Sequence, residues 1–174
     1  MNHLWQKFTA LFGLAAIYFS PVGAQTWNSI QRTIKKRFPG VRQLATADLA
    51  AWLEDANRPV KPLLLDARSS AEFEVSHLPG AVRLESVEEV IHDDPARTRP
   101  VVVYCSIGYR SSAFAEKLQR AGFADVRNLE GSIFAWANEG RPVCHGGKML
   151  SPARVHPYGA KWGQLLKTEL RADL

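Results

Sequence analysis

The sequence predicts an α/β fold, with a central, mostly parallel sheet of five strands and helices on both faces. Three observations carry this. Runs such as "PLLLDA" and "PVVVYC" are apolar at consecutive positions, the pattern of strands buried on both faces. Segments with apolar residues three and four apart stand between those runs, so strands and helices alternate. Turn residues, Pro39-Gly40 and Pro79-Gly80 among them, punctuate the alternation.

In chain order, Trp27, Ile30, Ile34 and Phe38 make one apolar face of a helix within residues 25–40, which Pro39-Gly40 ends. "VRQLAT" is a short strand. "TADLAAWLEDA" follows as a helix, with Thr46 as N-cap and Leu49, Trp52 and Leu53 turned inward. "KPLLLDAR" is a buried strand ending at Asp66. "SSAEFEVSHLPGAVRL" combines a helical turn, the Pro79-Gly80 turn and another strand. "VEEVIHD" is a short helix and "RPVVVYC" a buried strand. "RSSAFAEKLQRAGF" is a helix closed by Gly122, "VRNLEG" a strand, and "SIFAWANEG" a helix closed by Gly140, with Trp136 in the core. The extension, residues 144–174, holds Val155, Tyr158, Trp162, Leu165 and Leu166. It is too apolar for a free tail and is expected to pack on the domain without a catalytic part.

A chain of 174 residues is long enough for one domain with a full-sized core. With 46% hydrophobic and 22% charged residues it is not a disordered or low-complexity protein. The formal charge of +5 is modest, and the only dense basic cluster, Lys35 to Arg37, reads as a solvated helix face. No nucleic-acid partner is expected. The first 24 residues carry one charge, Lys7, then the apolar run Phe8 to Ser20, then "PVGAQ". This is the layout of a signal peptide cleaved before Gln25, with export, most simply to a periplasm, as the consequence. An uncleaved anchor is the other reading, although the run is short for a span of ~20 residues. Once the signal is removed no stable membrane insertion is expected. The histidines, His3, His77, His92, His145 and His156, lack ligand spacing, so neither a metal nor a cofactor is implied.

The chemistry concentrates in "VVVYCSIGYRSSAF". In a parallel sheet ligands bind beyond the carboxyl ends of the strands, and Cys105 stands at such an end. A helix N-terminus presents unpaired amides and partial positive charge. A cysteine facing it beside an arginine is a thiolate candidate. Residues Cys105 to Arg110 would wrap so that the amides of Ser106, Ile107, Gly108 and Tyr109 form an anion nest. Gly108 supplies the backbone freedom. Arg110 offers a planar, permanently charged fork for an oxyanion. Ser111 and Ser112 are placed to cap the helix or donate to the sulfur. Ile107 and Tyr109 would shape the mouth.

These residues also carry a resemblance. "LLLDARSSAEFEVSHLPGAVRL", "VVVYCSIGYRS" and "NLEGSIFAWANEGRPV" resemble, in the right order, three motifs of the rhodanese family of sulfurtransferases, over about residues 41–143. Ser76 and Ser132 depart from it, standing where that family has glycine. The resemblance implies a rhodanese-like three-layer fold and a single-domain sulfurtransferase that moves sulfane sulfur from thiosulfate, or a similar small anion, to a thiophilic acceptor. Cys105 would become a persulfide and Arg110 would hold the donor's anionic group. Ser106, Ile107, Gly108, Tyr109 and Ser111 would contact substrate, with Asp66, Arg68 and His77 in support. Glu72 would brace the turn beneath the site, and Glu130 would stand near the pocket rim. A non-catalytic rhodanese-like binding module and a thiol–disulfide oxidoreductase using Cys105 with Cys144 are the alternatives. The latter lacks a C-x-x-C motif.

Overall fold

Thr26 starts the first helix, α1 (Trp27–Arg37), by accepting the Ser29 amide on its side chain. Ile30 and Ile34 are buried, while Lys35, Lys36 and Arg37 fill the last turn, where the free carbonyls favour cations. The computed structural model describes residues 26–58 and 60–173, and the expected signal peptide lies outside them. After α1 come β1 (Arg42–Leu44), α2 (Thr46–Glu54), β2 (Leu63–Asp66), α3 (Ser70–Val75) and α4 (Val87–Asp93). Then follow β3 (Val101–Tyr104), α5 (Tyr109–Arg120), β4 (Val126–Leu129) and α6 (Ser132–Asn138).

The strands form one parallel sheet in the order β1-β4-β3-β2. Every residue of β2 and β3 is buried. Neighbouring side chains in a strand point to opposite faces, so both faces of the sheet are covered, which is why these strands read as unbroken apolar runs. The parallel register brings the ends of β2, β3 and β4, at Asp66, Tyr104 and Leu129, to one edge. Among the described residues no helix is long and apolar enough to cross a membrane.

Two expectations need correction. The fifth strand, "AVRL", is a single parallel bridge between Val82 and Leu65, with two backbone bonds of 2.9 Å. Pairing stops there because the chain turns at once toward Ser86, which caps α4, and Arg83 pairs with Glu85. Thr46 is the first helical residue of α2, not its cap. Ala45 takes the extended cap position, and the Thr46 hydroxyl donates to the Glu139 carboxylate just after α6.

Beyond Val143 the chain forms a hairpin, β5 (Cys144–His145) and β6 (Lys148–Met149), then α7 (Ala160–Gly163) and a 3-10 turn at Thr168–Leu170. Cys144 and His77 exchange two backbone bonds of 2.9 Å. The Asn138 side chain donates to the Leu165 carbonyl and accepts from the Lys167 amide. Val155 and Leu166 are fully buried, each worth about 1.5–3 kcal/mol of apolar transfer.

Candidate active site

β3 delivers the chain to Cys105, and α5 begins at Tyr109, so the loop between them turns sharply. Gly108 takes φ +110°, a region L side chains rarely enter, and a Cβ there would lie 3.2 Å from Asn128 Nδ2 and 3.3 Å from Ile34 Cδ1. The turn brings the Gly108 amide to Cys105 Sγ at 3.2 Å. The carbonyls of Cys105 and Ser106 accept from the Ile133 and Phe134 amides, both at 3.2 Å. These are first-turn donors of α6 that have no partner within their own helix. The Cys105 amide donates to Ser132 Oγ at 3.1 Å, and that hydroxyl donates to the Leu129 carbonyl. Ser132 holds this position at φ +52°. Of the two residues that depart from the glycine pattern, Ser132 is thus the one that satisfies the backbone of the cysteine, a role nothing local in the sequence announces.

Around the sulfur, Ser111 Oγ lies 3.4 Å from Sγ and 2.6 Å from Asn128 Oδ1. Asn128 Nδ2 donates to Gln43 Oε1, and Gln43 Nε2 to the Val41 carbonyl. A single hydroxyl proton therefore faces two acceptors, and the buried Asn128 holds the hydroxyl in place. Burial pushes the Cys105 thiol up, but bonds from the Ser111 hydroxyl and amide, the Arg110 charge and the Gly108 amide outweigh it, so the thiol titrates below its ordinary value. Cys144, also free, is pushed up by burial alone. Ser111 and Ser112 are not caps. Gly108 holds that place, and the Ser112 hydroxyl turns back onto the Gly108 carbonyl.

The Arg110 fork is occupied. Its two terminal nitrogens donate to Glu72 at 2.8 and 2.7 Å, and one also reaches Ser106 Oγ at 3.0 Å. Ser106 in turn donates to Glu72. Glu72 is buried, and its carboxylate also accepts from the Ser69 amide in a capping box. Burial pushes the Glu72 carboxyl up, yet Arg110 and Ser69 hold it down at about 2. Burial likewise works against the Arg110 charge, and the Glu72 carboxylate overcomes it and raises the pKa. The sequence pointed Arg110 at a substrate anion. The structure gives it a resident carboxylate, 38 residues earlier in the chain.

The other residues singled out in the sequence fall into place around this core. Asp66 and Arg68 form a fully buried ion pair, and Arg68 also donates to the Ser76 carbonyl at 2.6 Å. The His77 ring stacks on Phe73 at 3.9 Å, and its Nδ1 meets the Phe73 carbonyl. None of these three lines the cavity over Cys105, and neither does Glu130, which pairs with Lys35. Trp136 is core, its indole donating to the Pro142 carbonyl. Cys105, Ser106, Ile107, Tyr109 and Arg110 do line that cavity, about 350 Å³ in volume. Its remaining walls come from α1, through Ile30, Thr33 and Ile34, and from the extension, through Tyr158 and Trp162.

This strand–loop–helix cradle around a buried thiol has clear relatives. The profile of the rhodanese-like domain matches residues 46–139. The chain is 35% identical over 82 residues to a sulfurtransferase of Allochromatium vinosum, spanning 47% of this chain and 77% of that protein. It is 30% identical over 103 residues to the probable adenylyltransferase/sulfurtransferase MoeZ of Mycobacterium tuberculosis, spanning 55% of this chain and 24% of that one. Its fold is similar to the crystal structure of a thiosulfate sulfurtransferase from Pseudomonas aeruginosa, with a TM-score of 0.57 at 22% identity, over 69% of this chain and 23% of that one. The chain thus spans about a quarter of the length of the mycobacterial and Pseudomonas proteins. The chain belongs to the rhodanese-like domain family.

Proposed function

We propose that this protein is a sulfurtransferase that carries sulfane sulfur on Cys105. One observation carries the reading: a buried thiol, lowered in pKa by Ser111, Gly108 and Arg110, forms the floor of a cavity at the carboxyl ends of the sheet. The likeness to a sulfurtransferase across most of that relative's length supports it. In the first half-reaction the Cys105 thiolate attacks the outer sulfur of a donor such as thiosulfate. The sulfur–sulfur bond of the donor breaks, its electron pair leaves with sulfite, and Cys105 holds a persulfide. In the second, a thiophilic acceptor such as cyanide or a thiolate attacks the terminal sulfur, and the electron pair returns to Cys105 Sγ. The amide of Gly108 and the hydroxyl of Ser111 receive the charge at the end of each cycle. Arg110, tied to Glu72, fixes the loop and supplies its field at the sulfur rather than a free fork.

The test is mass spectrometry of the Cys105 peptide after incubation with thiosulfate, followed by cyanide. We expect one added sulfur atom that cyanide removes, and no transfer in Cys105→Ser. Near-normal transfer in that variant would refute the assignment. We also propose that residues 1–24 direct export, on the layout of their sequence. N-terminal sequencing of protein from the native host should begin at Gln25, and a soluble cytoplasmic protein starting at Met1 would overturn this.

A further inference from the structure

The cavity over Cys105 takes part of its lining from two stretches of the chain that lie outside the matched domain, residues 46–139. Its walls are mainly apolar or aromatic, from Ile30, Ile34, Ile107, Tyr109, Tyr158 and Trp162, with the hydroxyls of Thr33 and Ser106 among them. Among the described residues Arg110 is its only charged lining residue, and Glu72 neutralises that charge from behind. The Tyr158 ring covers the guanidinium at 4.6 Å. Between these walls apolar contact is the main attraction for the part of a ligand that does not react.

The aromatic wall is held in place. Tyr158 sits at φ +64°, a strained value for a residue with a side chain, and its amide donates to His156 Nδ1 at 2.9 Å. Strain of this kind persists only where surrounding structure enforces it, and it gathers at binding and catalytic sites. Gly163, next to Trp162, bonds back to the Gly159 carbonyl at 2.8 Å, and a Cβ on it would lie 3.0 Å from Pro157 Cβ. The two rings are therefore presented by one tightly packed turn.

We propose that the physiological sulfur acceptor is a thiol with an apolar, preferably aromatic, body, and that Tyr158 and Trp162 determine this specificity. The inference rests on the sulfur-transfer reading and names its second substrate. The acceptor thiolate attacks the terminal sulfur of the Cys105 persulfide and forms a new sulfur–sulfur bond. The bond to Cys105 Sγ breaks with its electron pair, and the acceptor leaves as an organic persulfide. The count of sulfur atoms and electrons balances without an oxidant.

The experiment loads the full chain with thiosulfate and measures the rate at which phenylmethanethiol or 2-sulfanylethanol removes the added sulfur, at equal thiolate concentration. We expect phenylmethanethiol to be faster by about tenfold or more, the worth of burying part of one ring. In Trp162→Ala, the ratio of the two rates should fall to within about twofold, since the ring contact is lost. Thr33→Glu places a carboxylate at the cavity wall on an exposed helix position and should lower the ratio as well, without depending on the fold of the extension. A ratio near one in the unmodified protein, or a ratio unchanged in both variants, would overturn the specificity while leaving sulfur transfer intact. If no sulfur is ever gained on Cys105, the sulfur-transfer reading fails and this inference falls with it.

Discussion

Cys105 and Glu72 show how single residues are tuned by what surrounds them. The Cys105 sulfur is buried, which favours the neutral thiol, yet the Ser111 hydroxyl and amide, the Arg110 charge and the Gly108 amide favour the thiolate. Glu72 is the hub beneath it, bonded to Arg110, Ser106 and Ser69. Replacing it with glutamine leaves Arg110 without its charge partner. We expect a loss of about 1–3 kcal/mol in urea denaturation, below the cost of breaking a fully buried pair because a third of the Arg110 side chain is exposed. The pH dependence follows from the folded value of about 2 against an ordinary 4.5. The folded carboxyl is depressed, so its contribution is complete above about 4.5 and is lost as pH falls toward 2. The stability gap between the native protein and Glu72→Gln should therefore be widest near neutral pH and shrink across that window. A gap that is constant from neutral pH down to pH 2 would contradict the ion-pair account.

At the scale of elements, the start of α6 is what fixes the loop. Its free amides hold the Cys105 and Ser106 carbonyls, and Ser132 holds the Cys105 amide. Gly131, before it, has no room for a side chain, since a Cβ would come within 2.5 Å of the Ala135 Cβ. Ser132→Ala should cost about 1–3 kcal/mol by leaving a buried amide unpaired. Ser132→Gly should cost less, because glycine relieves the positive φ even as the bond is lost. Thermal melts decide it: a Ser132→Ala variant as stable as the native protein would show that the hydroxyl does not support the loop, and equal losses in the two variants would show that the positive φ stores no strain.

Taken whole, the molecule is a parallel α/β sheet whose reactive edge is roofed by segments before and after it. α1 brings Ile30 and Ile34, and the extension brings Tyr158 and Trp162. Truncation after Val143 removes the buried Val155 and Leu166 along with the two bonds of Asn138. We expect a drop in Tm of more than about 5 °C, from several kcal/mol of lost burial. The truncated protein should also lose its preference between the two thiols, because both rings of the aromatic wall, Tyr158 and Trp162, are gone. An unchanged Tm would mean that the extension adds nothing to the stability of the domain.

Local pattern alone was enough for the fold class, the family and the loop from Cys105 to Arg110. Unbroken apolar runs mark strands covered on both faces, and the thiol, glycine and arginine of the loop lie within six consecutive residues. Where local pattern misled, tertiary pairing was the reason. "AVRL" has strand composition but finds the sheet edge for one residue only, and Thr46 has a cap's side chain but meets the Glu139 carboxylate. The partners that define the site could not be read in this way. Glu72 reaches Arg110 across 38 positions and Ser132 reaches Cys105 across 27. Tyr158 comes to the same guanidinium from the C-terminal extension. Sequence periodicity reports which side of a segment is buried, but not which distant polar group waits there. That depends on how the parallel crossovers gather the strand ends at one edge, and only the folded chain decides it.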